Sequence, residues 1–248
     1  MDVKNENEDI TNVEKNIRGE ENTASGGLNA FVQKNRKFLF IGLIAIAVLL
    51  LGTIVVTTVQ EKATISSFTK VDELNQRYEE LMPHIADAET LKDMSSETKG
   101  KQADIDKLLE DLSAFQAKSS GYAAATAYGI SASIHETKKN WEEAEKAWAS
   151  AGKAAGKSYF APLSFFHAAV AAEERGNTEA ALDFYKQALS FETAYTVAAR
   201  SQFSVGRLEE SRNNNDAALE AYRALLNKWP DDPLWANLAQ NRILVLSR

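Results

Sequence analysis

The sequence contains no cysteine among its 248 residues. Without cysteine there is no disulfide, no thiol nucleophile and no lipid-modified cysteine anchor. Structural zinc sites are also disfavoured, because most of them use cysteine ligands. The three histidines, His84, His135 and His167, are widely spaced and match no metal-ligand pattern. We therefore expect neither a metal nor a cofactor.

Basic residues are outnumbered by acidic ones. The chain has 28 Lys and Arg against 35 Asp and Glu, which gives a net charge of −7. A protein that binds nucleic acid needs a basic face to neutralise phosphates. We expect no nucleic-acid partner.

One stretch, residues 38–59, lacks charge altogether and reads FLFIGLIAIAVLLLGTIVVTTV. Wound as an α-helix, these residues rise about 33 Å, enough to cross the hydrocarbon core of a bilayer. A core helix of a soluble protein normally keeps a polar stripe, and this stretch has none. It predicts a single transmembrane helix.

The residues before this stretch predict its orientation. Lys34, Arg36 and Lys37 precede it closely, and lysine and arginine favour the cytoplasmic side. We expect residues 1–37 to form a disordered cytoplasmic tail with a short juxtamembrane helix, and the C-terminal domain to lie outside the cytoplasm. The basic cluster could also contact anionic lipid headgroups.

The segment after the span, residues 60–121, is predicted to be helical. Residues 61–68 are interpreted as a connector, followed by a helix that ends at Pro83. A second helix is predicted over residues 100–117. The pair is either a stalk or a degenerate first repeat, and the sequence leaves both open.

The chain after residue 121 repeats itself. Asn140, Asn177 and Asn214 follow one another at intervals of 37 residues, and several other positions coincide in the same register. These positions are glutamates (Glu136, Glu173, Glu210), small residues (Ala144, Ala181, Ala218) and large aromatic residues (Trp148, Tyr185, Tyr222). Periods of 20 to 50 residues indicate stacked supersecondary units.

Each unit reads as two helices joined by a polar turn. The asparagine is interpreted as the left-handed residue that ends the first helix, and an acidic residue two positions later begins the second. The aromatic residue is predicted to be buried between helices. Residues 234–246 are predicted to cap the open end of the stack. The fold class is therefore all-α: one N-terminal transmembrane helix followed by a helical-hairpin solenoid.

These units resemble tetratricopeptide (TPR) repeats, over residues 122–248. The third unit, with Gly206, Ala218, Tyr222 and Pro230, matches that pattern best, although the period is 37 residues instead of 34 and the first two units lack the proline. The whole layout is similar to the YfgM-like ancillary SecYEG translocon subunit family, with Phe31, Asn35 and Lys37 carrying the juxtamembrane likeness. That resemblance implies a single-pass inner-membrane protein whose periplasmic domain assists exported chains beside the translocon.

No catalytic motif is convincing. Gly152 to Ser158 imitates a phosphate-binding loop, but it has three residues between its glycines where four are needed, and a helix instead of a strand precedes it. It is interpreted as a flexible loop between repeats. Gly129, Ser131 and Ser133 lack the closing glycine of a nucleophile elbow. We expect no enzymatic activity.

The remaining hypothesis is a membrane-anchored, chaperone-like adaptor for protein or peptide partners. The alternatives are a structural scaffold for an envelope or cell-division assembly and an N-anchored organelle import receptor. In TPR-like stacks the first helices of the units line a groove, and this one is expected to favour apolar or mildly acidic extended segments. The predicted groove residues are Ile130, Leu163, Phe166, His167, Val170, Arg200, Phe203 and Arg207. Whether Phe166 and Phe203 face the groove or the core is left open.

Overall fold

A computed structural model describes residues 31, 33–86, 96–191 and 196–248. This part of the chain is all-helical and contains no strand, which confirms the all-α part of the prediction. Its nine helices are α1 (Arg36–Ala86), α2 (Ser96–Gln116), α3 (Gly121–Thr137), α4 (Trp141–Ala155), α5 (Phe160–Glu174), α6 (Thr178–Leu189), α7 (Ala198–Ser211), α8 (Asn215–Lys228) and α9 (Trp235–Leu246). The chain divides between Thr64 and Ile65 into two compact units. The predicted disordered tail, residues 1–30 in particular, lies outside the described residues.

Helix α1 begins with an apolar segment. Arg36–Thr53 has a mean hydropathy of 2.0, and none of it is buried within the protein. By length and composition this is the one helix in the described part of the chain that could cross a membrane.

Helix α1 is also longer than predicted. The connector expected at residues 61–68 is wrong, because the helix continues through it to Ala86. Neither glycine nor proline occurs between residues 53 and 82, so no residue interrupts the helical hydrogen bonds. The helix also runs one turn past Pro83, where Ile85 is buried with 2% of its surface exposed.

The second unit begins with a helical pair. The predicted apolar face of α1 packs with that of α2 in one cluster that also includes residues of α3. The cluster contains Val71, Leu74, Leu81, Ile85, Ile105, Leu108, Leu112, Ala123, Ala127, Ile130 and Ile134. An ion pair of 2.7 Å joins Arg77 to Asp111 beside it. The pair therefore lies directly on the first repeat.

Three helical hairpins follow, α3–α4, α5–α6 and α7–α8, at the predicted positions, and α9 packs on the last of them. Trp148, Tyr185 and Tyr222 are buried as predicted, with 7%, 1% and 0% of their surface exposed. The small residues opposite them leave room for the rings. A Cβ atom added to Gly206 would lie 2.5 Å from the ring of Tyr222.

The polar turns differ from the prediction by one residue. The left-handed residues are Lys139, Gly176 and Asn213, each one position before the aligned asparagine. The aligned asparagines instead precede the second helices and have negative φ angles. Asn177 accepts a hydrogen bond of 3.1 Å from the backbone N–H of Ala180, which satisfies a free donor at the helix start. Asparagine at these positions therefore begins a helix instead of ending one.

The segment that imitates a phosphate-binding loop is largely helical. Gly152 is buried within α4, and a Cβ atom there would lie 2.9 Å from the ring of Phe165. The prediction of a flexible loop is wrong for residues 152–155, which α4 includes. Gly152 is needed because an aromatic ring of the next repeat packs directly against the backbone.

Candidate functional site

A groove of about 270 Å³ lies along the first helices of the second and third repeats and the start of α9. Its lining is partly aromatic and partly charged. The residues are Val170, Glu173 and Glu174 of α5, Tyr185 of α6, Arg200, Phe203, Ser204 and Arg207 of α7, and Trp235 of α9. We call this surface the α5–α7–α9 groove.

Four of the eight predicted groove residues line it: Val170, Arg200, Phe203 and Arg207. Phe203 is half-buried, and its ring centroid lies 5.3 Å from those of both Tyr222 and Trp235. Trp235 was predicted only as part of the capping helix. The structure adds it to the groove because α9 packs on the third repeat.

The other four predicted residues do not line the groove. Ile130 and Phe166 are core residues, with 5% and 3% of their surface exposed, so their placement in a groove is wrong. Leu163 is half-buried elsewhere on α5. His167 stacks on Trp148, with ring centroids 4.7 Å apart.

Phe166 and Phe203 occupy equivalent positions in the 37-residue register, but different residues pack over their rings. Arg200 of the next repeat lies over the Phe166 ring, 5.0 Å from its centroid, and Tyr185 packs beside it. Phe203 instead faces the capping helix, which leaves part of its ring on the groove. Phe203 is more accessible than Phe166 because α9 covers it less completely than α7 covers Phe166.

The charges in the groove are unequally engaged. Arg207 forms an ion pair with Glu173, and the Tyr185 hydroxyl donates to the same carboxylate at 2.7 Å. Arg200 is exposed, and among the described residues no carboxylate pairs with it. Its guanidinium is therefore the cation in the groove that is available to a ligand.

The Glu173 contacts belong to a repeated arrangement. In each repeat the aromatic side chain of the second helix donates to the glutamate that lies twelve residues earlier. Trp148 Nε1 donates to Glu136 at 2.9 Å, and the Tyr222 hydroxyl donates to Glu210 at 3.1 Å. We call each pair, together with the histidine or arginine that contacts the glutamate from the next helix but one, a carboxylate rung.

The sequence contained the signal for the rungs, because both positions recur at the same interval. The 37-residue period aligns each set separately, and the pairing between the two sets becomes visible only in the folded hairpin. The basic partners gave no such signal, since Arg207 and Arg242 occupy unrelated positions in the register. Arg242 reaches Glu210 from α9, with its Nε atom 3.1 Å from the carboxylate.

Burial changes the titration of the first rung. Burial raises the pKa of Glu136, although the hydrogen bond from Trp148 opposes this change. Burial lowers the pKa of His167, and the positive charge of Arg200 lowers it further. His167 is therefore neutral near pH 7, and its contact of 3.9 Å with Glu136 is not an ion pair there.

The arrangement is suited to binding. Within residues 31, 33–86, 96–191 and 196–248, no group of three or more His, Asp and Glu side chains could hold a metal ion. Gly129 of the imitated nucleophile elbow is buried in α3, beneath Phe160 and Trp148. The groove combines aromatic rings with an accessible guanidinium, groups that can contact apolar and anionic parts of a ligand.

Comparison with known proteins supports the repeat assignment. No protein-family model matches this chain. A "TPR repeat-containing protein" of Treponema pallidum (strain Nichols) is 33% identical over 127 residues, which is 51% of this chain and 52% of that protein. The chain thus spans about half the length of the curated relative that it matches. By this likeness and by its helical hairpins, the chain is similar to TPR proteins.

Proposed function

We propose that this protein is a membrane-anchored adaptor that binds polypeptide segments through the α5–α7–α9 groove. The observation that carries the proposal is the combination of Phe203 and Trp235 with the unpaired guanidinium of Arg200. TPR-type repeats serve as protein-binding modules, and the likeness to a TPR repeat-containing protein supports such a role. The proposed role is not enzymatic.

The lining favours one class of segment. Apolar side chains would contact Val170, Phe203 and Trp235, and a carboxylate would reach Arg200. An extended segment that is apolar or mildly acidic satisfies both conditions. Unfolded exported chains contain many such segments.

The membrane anchor and the location are parts of the same proposal. The apolar segment Arg36–Thr53 supports a single span, and Lys34, Arg36 and Lys37 support a cytoplasmic N-terminus. The repeats would then face the periplasm, beside the export translocon, as the YfgM-like resemblance implies. A reporter that is active only outside the cytoplasm, fused after Arg248, should then be active. If protease added to intact spheroplasts leaves the C-terminal domain untouched, this orientation is wrong.

In-cell photocrosslinking tests the groove. A photoreactive residue at Val170 should capture exported chains or translocon subunits, whereas one at the exposed Glu179 of α6 should not. Arg200→Glu should reduce capture because it repels acidic segments, and Arg223→Glu, an exposed arginine of α8, serves as the matched control. Equal adducts from both positions would contradict the groove, and adducts to division proteins would favour the scaffold alternative.

The burial of Phe166 determines which variants suit this test. Phe166 is buried, so replacing Phe166 and Phe203 together by serine would damage the core as well as the groove. Arg200→Glu changes an exposed side chain and separates binding from folding.

A further inference from the structure

A second cavity lies on the other side of α7. Its volume is about 430 Å³, and it opens between α6 and α8 with α7 beneath. Its lining comprises Lys186, Leu189, Ser190, Gln202, Val205, Glu209, Ala217, Glu220, Ala221 and Ala224. None of these residues lines the α5–α7–α9 groove, so the two surfaces are separate.

The equivalent place one repeat earlier, between α4, α5 and α6, explains why this space is open. There Phe165 of α5 stacks on Phe184 of α6, with ring centroids 6.5 Å apart and planes inclined by 16°. The 37-residue register places Gln202 and Ala221 at the equivalent positions. Two aromatic rings are therefore replaced by an amide and a methyl group, and the space that the rings would fill lies open at the surface.

The chemistry at the cavity wall favours a ring that carries a hydroxyl. Glu209 has 7% of its surface exposed, and its Oε2 atom accepts a hydrogen bond of 3.1 Å from Asn214. Lys186 lies 3.8 Å from its Oε1 atom and Arg212 lies 4.0 Å from its Oε2 atom, as loose ion pairs. Among the residues that the structure describes, no donor lies within hydrogen-bond distance of Oε1. An acceptor thus lies beside a space of aromatic size.

The same protein shows how such an acceptor is satisfied. Tyr185 and Tyr222 each place a ring in the core and donate the hydroxyl to a half-buried glutamate, at 2.7 and 3.1 Å. A phenylalanine ring offers the Glu209 carboxylate no hydrogen-bond donor, whereas the tyrosine hydroxyl would supply one.

We propose that the cavity between α6, α7 and α8 binds a tyrosine side chain presented by a protein partner, with its hydroxyl donating to Glu209. The volume exceeds that of a single ring and accommodates the residues on either side of the tyrosine. This surface is independent of the α5–α7–α9 groove, and the protein could engage both at once.

The test uses the full-length chain in detergent micelles, labelled with ¹⁵N-alanine. The probe is N-acetyl-tyrosine amide, and N-acetyl-phenylalanine amide is the matched control ligand. The tyrosine probe should shift the amide signals of Ala217, Ala221 and Ala224 saturably, with a dissociation constant on the order of millimolar. The phenylalanine probe should bind several-fold more weakly, because it lacks the hydroxyl.

Two variants place a ring on the same helix. Ala224→Phe puts a ring at the exposed rim of the cavity and should abolish the shifts, whereas Arg223→Phe puts one on the adjacent exposed position and should preserve them. Gln202→Phe combined with Ala221→Phe rebuilds the aromatic pair of the preceding junction and should also abolish binding. Circular dichroism confirms that each variant remains folded.

Several outcomes would overturn the proposal. These are the absence of shifts at the three alanines, equal binding of both probes, or binding that persists in Ala224→Phe. Residues 192–195 lie outside the described part of the chain. Nuclear Overhauser contacts between the Tyr195 ring and Ala221 without a probe would show that the chain fills the cavity itself, and would overturn the proposal as well.

Discussion

The first carboxylate rung differs from the other two, although all three have the same glutamate at the same register position. Glu173 and Glu210 each form an ion pair with an arginine from the next helix but one, Arg207 and Arg242 respectively. Glu136 faces the neutral ring of His167 instead, at 3.9 Å. The comparison shows that a repeated residue takes its electrostatic role from the residue that contacts it from the next helix but one.

The register explains the difference. Val170 stands in the second repeat where Arg207 stands in the third, so that position offers Glu136 no cation. The Glu136 carboxylate accepts a hydrogen bond from Trp148, but burial still raises its pKa. The first rung is thus the one at which the charged carboxylate is least stabilised.

The largest expected effect concerns the aromatic ring of the second rung, Tyr185. Tyr185→Ala removes a ring that is 1% exposed at the centre of the stack and leaves both the Glu173 acceptor and a cavity. We expect the free energy of unfolding to fall by about 3–5 kcal/mol. Urea unfolding of the full-length chain in mild detergent, followed by circular dichroism, measures it.

The control for that variant is Tyr159→Ala, which truncates a tyrosine that is 60% exposed. It should change the free energy of unfolding by no more than about 0.5 kcal/mol. If Tyr185→Ala unfolds at the same urea concentration as the unmodified chain, the assignment of the buried aromatic position is wrong.

A smaller difference in stability is expected between variants of the first and second rungs. Glu173→Gln keeps an acceptor for Tyr185 but removes the charge that Arg207 pairs with, so the free energy of unfolding should fall by about 1–2 kcal/mol. Glu136→Gln keeps an acceptor for Trp148 and removes a carboxylate that burial disfavours. It should therefore be neutral or slightly stabilising at pH 7.

The two variants are compared in parallel by urea unfolding at one pH. Glu179→Gln, at an exposed position in the first turn of α6, controls for the loss of a negative charge. Equal destabilisation by Glu136→Gln and Glu173→Gln would show that the neighbours do not distinguish the rungs.

Much of the fold could be predicted because it depends on short-range patterns. The 37-residue period, the buried aromatic residues and the acidic residues in the first turns follow from spacing and helix electrostatics. The length of α1 was mispredicted for two reasons. The connector expected at residues 61–68 contains neither glycine nor proline to interrupt a helix. The helix was also expected to end at Pro83, whereas the burial of Ile85 favours a further turn. The asparagines were misplaced by one residue because both the end of one helix and the start of the next accept that residue type.

The candidate site was less predictable because it depends on contacts between repeats. Arg200 covers Phe166, and Trp235 reaches Phe203 from α9, and neither contact follows from the helical face of a single repeat. The periodic position of Phe166 and Phe203 was correct, but their exposure differs. Contacts across a repeat junction involve residues whose pairing no local spacing specifies.

The smallest expected effect is a pH dependence that arises from the first rung. Burial lowers the pKa of His167 below its ordinary value of about 6.5, so the unfolded chain binds the proton more readily than the folded one. The contribution of His167 to stability is therefore complete above about pH 6.5 and decreases as the pH falls below it. His135, whose pKa burial also lowers, contributes with the same sign. Glu136 contributes with the opposite sign, since burial raises its pKa and the folded state is the better proton acceptor.

The midpoint temperature of thermal unfolding should therefore decrease when the pH is lowered from about 7.5 to about 5.5. The decrease should be smaller in His167→Gln, which lacks the histidine, and larger in Glu136→Gln, which lacks the opposing carboxyl group. An equal decrease in midpoint temperature in the unmodified chain and in both variants would show that the first rung does not titrate in this range.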